Sequence, residues 1–224
     1  MAAPTFCIDE AGRGPIWGPV VAGAAVLPNE CPDPRPDGTP NPLWAAIRDS
    51  KKVSEKRRPV IAEYIKSVAI TWGVGQADTA EIDQINILQA TMRAMHRAMD
   101  AAWLRCPPAA RPDVIWVDGP HFIPYEPPGT AADPNPETLD HACIINGDAT
   151  VRGIAAASIL AKVAHDEWII NYCKAHPEEV APYHLEKNKG YGTAAHMAAL
   201  KTVGPHPLHR QSFAPVRAAL ARMP

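Results

Sequence analysis

Residues 5–9 (TFCID) read as a β-strand, and that strand closes on two adjacent acids, Asp9 and Glu10, followed at once by Gly12-Arg13-Gly14. Successive strand residues point to opposite faces, so an apolar strand ending in two acids needs a reason. Carboxylates at the end of a buried element are costly unless they are solvated, paired or bound to a cation. The chain is therefore expected to fold so that its first strand opens onto a polar site.

The remaining pattern fills in an architecture around that strand. Residues 18–27, rich in Val and Ala, read as a second buried strand joined to the first by AGRGPIWG, a hairpin with a Gly-rich connection. Residues 28–42 are Pro-rich and polar and form a loop. Ser54 is placed to cap a helix in which Ile61, Tyr64, Ile65 and Val68 fall at helical spacing. A strand over 69–75 and a long helix over 86–105 follow, the helix carrying Ile87, Leu88, Met92, Met95 and Met99 on one face. Residues 113–118 (DVIWVD) form an apolar run with almost no polar alternation, which predicts a strand covered on both faces. A second Pro-rich loop spans 119–139, a short strand 143–145 and one long helix 151–173; further helices begin near Thr193 and Ala214. Strands early and helices late describe an α/β core with a helical C-terminal extension.

A chain of 224 residues, 46% hydrophobic, can bury one large domain. It has no uninterrupted apolar run long enough for a membrane span, and its first residues lack the basic and apolar regions of a secretion signal. It is expected to be cytosolic, with no membrane partner. Five cysteines, an odd number without a CxxC pair, support neither a disulfide framework nor a zinc site. Net charge is −2, but its distribution is uneven: residues 149–224 hold nine Lys/Arg against five Asp/Glu, and residues 1–148 hold thirteen against nineteen. Within the acidic part, Arg48, Lys51, Lys52, Lys56, Arg57 and Arg58 form a basic strip. That pattern suits an acidic metal site flanked by phosphate-contacting surface, although a charge run is also what a solvated helix face looks like.

Two more acids stand at element ends. Asp118 closes the apolar run 113–118, and Asp148 lies just before the long helix, where it could equally serve as a cap. Gathered at one end of a sheet, Asp9, Glu10, Asp118 and Asp148 would repel one another without a cation. Hard oxygen ligands suit Mg²⁺ or Mn²⁺, which keep waters and share coordination with a substrate phosphate. Two such ions about 4 Å apart are sufficient for phosphodiester hydrolysis without a His, Ser or Cys nucleophile.

Seven blocks in order resemble the ribonuclease HII family. They are DEAGRGPIWGPVVAGAAVLP (9–28), DSKKVSEKRR (49–58), EIDQINILQATMRAMHRAM (81–99), VDG (117–119), GDATVRGIAAASILAKVAHD (147–166), KGYGTAAHMAAL (189–200) and GPHPLHRQSFAPV (204–216). The resemblance covers nearly the whole chain except the two Pro-rich loops and residues 174–188. It implies a ribonuclease H-like mixed sheet flanked by helices, with residues 1–150 as the core and 151–224 as a helical part of the same catalytic unit. The implied activity is endonucleolytic hydrolysis of the RNA strand of RNA/DNA hybrids, including ribonucleotides embedded in duplex DNA, by a monomer. The implied catalytic and metal-binding set is Asp9, Glu10, Asp118 and Asp148, with Asp9 bridging two ions.

Gly12, Arg13, Gly14 and Tyr191 match the elements that sense the ribose 2′-OH, the group that distinguishes RNA from DNA. Glycines let backbone N–H groups approach the sugar. Ser50, Lys51 and Lys52 are expected on backbone phosphates. Asp166 is either a support for the site or a plain helix-surface acid, and for His209 and Arg210 structure and nucleic-acid contact both remain open. The family commonly has Arg where His165 stands and His where Asn188 stands. Asp140, eight residues before Asp148, is a competitor for the ligand role, and the GD preceding the long helix favours Asp148.

Overall fold

The computed structural model describes residues 4–48, 53–129 and 138–222. Its centre is a mixed sheet in the order β3-β2-β1-β4-β5. Strand β1 (Thr5–Ala11) and β2 (Val20–Val26) form the expected antiparallel hairpin. Short helix α1 (Pro42–Ala45) and α2 (Arg58–Val68) precede β3 (Thr71–Ala77), which pairs antiparallel to β2. After α3 (Thr79–Trp103) the chain returns as β4 (Val114–Asp118), parallel to β1, and then as β5 (Asp140–Ile144), parallel to β4. The C-terminal third is helical: α4 (Gly147–Thr150), α5 (Arg152–Ala175), α6 (Pro177–Val180), α7 (Leu185–Asn188), α8 (Ala194–Thr202) and α9 (Ala214–Leu220).

Strand alternation sorts the core into two layers. Phe6, Ile8, Ala22, Ala24, Ile115 and Val117 face α3, with Met92, Met95 and Met99 against them. Ala25, Trp72 and Val74 face α2 and α5 on the other side. Two glycines allow close approach. A Cβ on Gly75 would sit 2.4 Å from the Ala94 carbonyl oxygen of α3, and one on Gly23 would sit 2.3 Å from the Ala157 carbonyl oxygen of α5. Helix α5 therefore lies directly on the face of β2 opposite α3.

Several boundaries differ from the sequence expectation, each for a local reason. Helix α2 begins at Arg58, not near Ser54, because Pro59 stands in its first turn. A start at Ser54 would place that proline in the helix interior, where its missing N–H breaks the ladder. Helix α3 begins seven residues before 86, capped by Asp78, whose side chain accepts from Glu81 N at 2.9 Å. At Asn86 it is interrupted by a residue at φ 69°, ψ 164°, and the Asn86 side chain accepts from Leu88 N and Gln89 N. Asn86 is thus the cap of a second helical segment, the one that the periodicity of 86–105 detects.

β4 is covered on one face only: Ile115 and Val117 are buried, whereas Trp116 is 37% exposed. β5 starts at Asp140, ahead of the expected 143, and is an exposed edge strand whose alternation carries no apolar signature. Among the described residues no cysteine is paired, and no helix is long and apolar enough to cross a membrane.

Candidate active site

The register of the sheet decides which acids can meet. Asp118 at the end of β4 pairs with Ile144, so the chain leaves β5 beside Asp118 and reaches Asp148 within one turn. Asp140 pairs with Val114, four residues back along the strand, which is about 13 Å away at strand rise. Of the two competing acids, the structure brings Asp148 to Asp118 and leaves Asp140 at the opposite end.

Asp9, Glu10, Asp118 and Asp148 line one pocket of about 290 Å³, together with Gly12, Arg13, Gly14, Arg58, Ser158, Lys162 and Tyr191. Asp9 and Asp148 are buried. The Asp9 carboxylate accepts the Glu10 backbone N–H at 2.7 Å and a hydrogen bond from Ser158 on α5. Burial, reinforced by the charges of Glu10 and Asp118, raises the Asp9 carboxyl well above the usual range. Glu10 is also raised, by burial and by Asp118, against the pull of Arg13, whose Nη1 lies 3.1 Å from Glu10 Oε1.

Asp118 Oδ1 accepts from the backbone N–H groups of Gly147 at 2.7 Å and Asp148 at 3.4 Å. Among the described residues no group of three or more His, Cys, Asp or Glu is gathered closely enough to hold a metal ion by itself. The donor set nonetheless has the chemistry of a hard-cation site: oxygen ligands only, with Asp9, Glu10 and Asp118 mutually repelling. Mg²⁺ is typically held by one or two carboxylates plus waters and phosphate, without an all-protein cage.

One wall of the pocket is basic. On α5, Ser158, Lys162 and Asp166 recur every four residues and so share a face. Asp166 accepts from Lys162 Nζ at 2.7 Å and lies 3.1 Å from His165 Nδ1 and 4.0 Å from Arg58 Nη1. Burial opposes its ionisation, yet the bonds from His165 and Lys162 hold it below the ordinary Asp value. Asp166 is therefore the group that gathers Lys162 and Arg58 on this wall. Arg58 belongs to the basic strip expected beside the acids; Ser158 carries no expectation from the sequence, although a polar residue every fourth position on an otherwise apolar helix is a legible signal.

The opposite wall is the glycine loop. Gly12 has φ +86°, and a Cβ there would meet the His165 ring at 2.5 Å. His165 is fully buried, with Nε2 lacking a hydrogen-bond partner. A Cβ on Gly14 would sit 3.3 Å from the Tyr191 ring, which is 43% exposed at the pocket mouth. Arg210 is wholly buried and donates to four carbonyls of this segment, those of Gly12 (2.6 Å), Arg13 (2.9 Å), Gly18 (2.9 Å) and Pro19 (2.9 Å). Its role is structural. Ser50, Lys51 and Lys52 lie outside the described residues.

A profile of the Ribonuclease HII family matches residues 6–216. The Ribonuclease HII of Paramagnetospirillum magneticum is 44% identical over 209 residues, covering 93% of this chain and 89% of its own. That of Nitrosococcus oceani is 40% identical over 210 residues, covering 94% and 88%. Among solved structures, the ribonuclease H2 of Pyrococcus horikoshii OT3 shares the fold at a TM-score of 0.67, with 21% identity and 98% of each chain covered. A ribonuclease HIII solved in complex with Mn²⁺ gives 0.63 at 18% identity, over 98% of this chain and 70% of its own. The chain belongs to the ribonuclease HII family, metal-dependent nucleases that act on the RNA of RNA/DNA hybrids.

Proposed function

We propose that this chain hydrolyses the RNA strand of RNA/DNA hybrids, and ribonucleotides embedded in duplex DNA, leaving 5′-phosphate and 3′-hydroxyl ends. The observation that carries the reading is the convergence of Asp9, Glu10, Asp118 and Asp148 in one pocket beside Gly12-Arg13-Gly14 and Tyr191. The four acids would hold two Mg²⁺ or Mn²⁺ ions. Bound there, the ions supply an activated water and charge stabilisation for the leaving 3′ oxygen.

The chain's own residues do the rest. Ser158 and the Glu10 N–H fix the Asp9 carboxylate. Gly147 N–H fixes that of Asp118. Lys162 and Arg58, arrayed by Asp166, face the phosphates of the substrate backbone. The glycine loop presents backbone groups to the ribose, and Tyr191 closes over it. Residues 1–150 and 151–224 act as one catalytic unit, since the pocket takes side chains from both. Among the described residues the four acids, the glycine loop and Tyr191 all come from one chain, which supports a monomer. Unpaired cysteines suit a reducing cytosol. Removal of ribonucleotides would place the enzyme in DNA replication and repair.

The test is one gel assay with three duplexes: a single ribonucleotide in DNA, a long RNA/DNA hybrid and plain DNA, each with Mg²⁺, Mn²⁺ or EDTA. The expected result is a nick 5′ to the ribonucleotide, cleavage of the hybrid, and no product in EDTA or with Asp9→Asn. Equal cutting of plain DNA would defeat the specificity.

A further inference from the structure

Tyr191 is exposed at the pocket mouth, yet its backbone is held from beneath by a chain of bonds that no part of the proposed chemistry uses. His206 donates its backbone N–H to His209 Nδ1 at 2.8 Å. His209 Nε2 lies 3.0 Å from His196 Nε2. His196 Nδ1 lies 3.0 Å from the Tyr191 carbonyl oxygen. Both rings are wholly buried and pack against Tyr183, His196 tilted and His209 edge-on to its ring.

The backbone fixes every proton in this chain. His209 Nδ1 also lies 3.2 Å from the His206 carbonyl oxygen, but its shorter contact, at 2.8 Å, is with a main-chain N–H that can only donate, so Nδ1 accepts and the proton sits on Nε2. A carbonyl can only accept, so the His196 proton sits on Nδ1 and its Nε2 is a lone pair. The two ends, argued independently, leave one donor and one acceptor facing each other at 3.0 Å. The pair works only as two neutral rings in one tautomeric state, and it ends on the residue that faces the ribose.

The same segment holds the facing wall. Arg210, next to His209, grips the carbonyls of Gly12 and Arg13. The backbone locks the two together: Arg210 N donates to Ile16 O, Gly18 N to Leu208 O, and Ile16 N to Gly190 O. Asn188 adds a cap on Gly190 N at 2.9 Å, which accounts for an Asn at that position.

We infer that His196 and His209 are positioning residues for ribose discrimination: they set the height of Tyr191 over the glycine loop by a tautomer-locked bond to its carbonyl. The inference rests on the proposed reading of Gly12-Arg13-Gly14 and Tyr191 as the ribose-sensing wall. Neither histidine touches substrate. Their effect passes through Tyr191 alone, so it falls on the choice between ribose and deoxyribose more than on affinity for duplex.

The experiment measures, by fluorescence anisotropy in EDTA, the affinity for a duplex carrying one ribonucleotide and for the same sequence as plain DNA. The quantity read is the ratio. His196→Leu keeps the volume and removes both ring nitrogens; the ratio is expected to fall about tenfold, the worth of one lost hydrogen bond, with plain-DNA affinity little changed. His196→Asn, whose side-chain amide still donates to the Tyr191 carbonyl, is expected to restore most of the ratio. If His196→Leu does not fold, His209→Leu and the donor-retaining His209→Gln form the equivalent pair. A preserved ratio in a folded Leu variant, or equal loss in the Leu and amide variants, overturns the inference while leaving the ribose reading intact. A wild-type ratio of one removes the ribose reading itself, and the inference with it.

Discussion

Gly147 donates its backbone N–H to Asp118 Oδ1 at 2.7 Å, so the end of β4 and the turn carrying Asp148 are tied by a bond between residues 29 apart in sequence. The contact places Asp148, not Asp140, beside Asp118. Asp148→Asn is expected to lower cleavage by at least about a hundredfold through lost metal affinity. Asp140→Asn, at the other end of β5, is expected to stay within about twofold of wild type on the same physical grounds. Steady-state cleavage of a single-ribonucleotide duplex in Mg²⁺ separates the two, and the opposite ordering would move the site.

The basic wall makes a separate claim about salt. If Lys162 faces a phosphate, Lys162→Met reduces the slope of log affinity against log salt by about one, uniformly across sequences. Asp166→Asn removes the negative charge that holds Lys162 and steadies Arg58. It is expected to raise KM several-fold with a smaller change in kcat. Binding titrations over a salt series, with steady-state kinetics on both variants, check it. An unchanged slope in Lys162→Met would place that lysine off the substrate track.

How far this site could be read from the chain depends on which forces placed each residue. Asp9 and Glu10 were legible because two acids closing an apolar strand conflict with its burial pattern. Asp118 was legible for the same reason. Asp148 was not separable from Asp140 by spacing alone, since only the β4–β5 register distinguishes them, and register on an exposed edge strand leaves no mark in hydrophobicity. Arg210 was ambiguous because a buried arginine and a surface arginine look alike in sequence; only the four carbonyls around it decide. The start of α2 is set by Pro59 in its first turn rather than by the Ser54 cap signal, and the Asn86 cap inside α3 masks the true start at Asp78.

Arg210 carries a stability prediction. Arg210→Leu leaves the carbonyls of Gly12, Arg13, Gly18 and Pro19 without this donor in a buried setting. At roughly 1–3 kcal/mol for a buried group left unsatisfied, the loss is expected to exceed about 3 kcal/mol. For a chain of this size that is a fall of roughly 6–12 °C in Tm. Thermal and urea unfolding measure it. A loss below about 1 kcal/mol would mean that the loop does not depend on the guanidinium.

The buried histidines predict an acid-side weakness. Burial, and then the proximity of His196, lowers the His209 ring from 6.5 to about 3, against the opposing pull of a hydrogen bond to the His206 backbone. His196 and His165 are lowered by burial as well. In the unfolded chain these rings take up protons near pH 6.5 that the fold refuses, so stability is present above that pH and is lost as pH falls towards 3. The slope is about 1.4 kcal/mol per pH unit for each such ring. The raised carboxyls of Asp9 and Glu10 act in the opposite sense, so the informative comparison is with His209→Gln. Its urea midpoint is expected to fall less steeply than that of the wild type between about pH 6.5 and about pH 5. Parallel curves would show that His209 does not titrate between the states.

The account stands on four carboxylates sharing a pair of divalent ions beside the glycine loop. The most direct measurement is the anomalous difference map of crystals grown with Mn²⁺ and a duplex bearing one ribonucleotide, using Asp148→Asn if the wild type cleaves it. Two peaks about 4 Å apart, ligated by Asp9, Glu10 and Asp118 and sharing a substrate phosphate oxygen, are the expected result. A map with no manganese in this pocket, or with its only peaks away from Asp9, would contradict it.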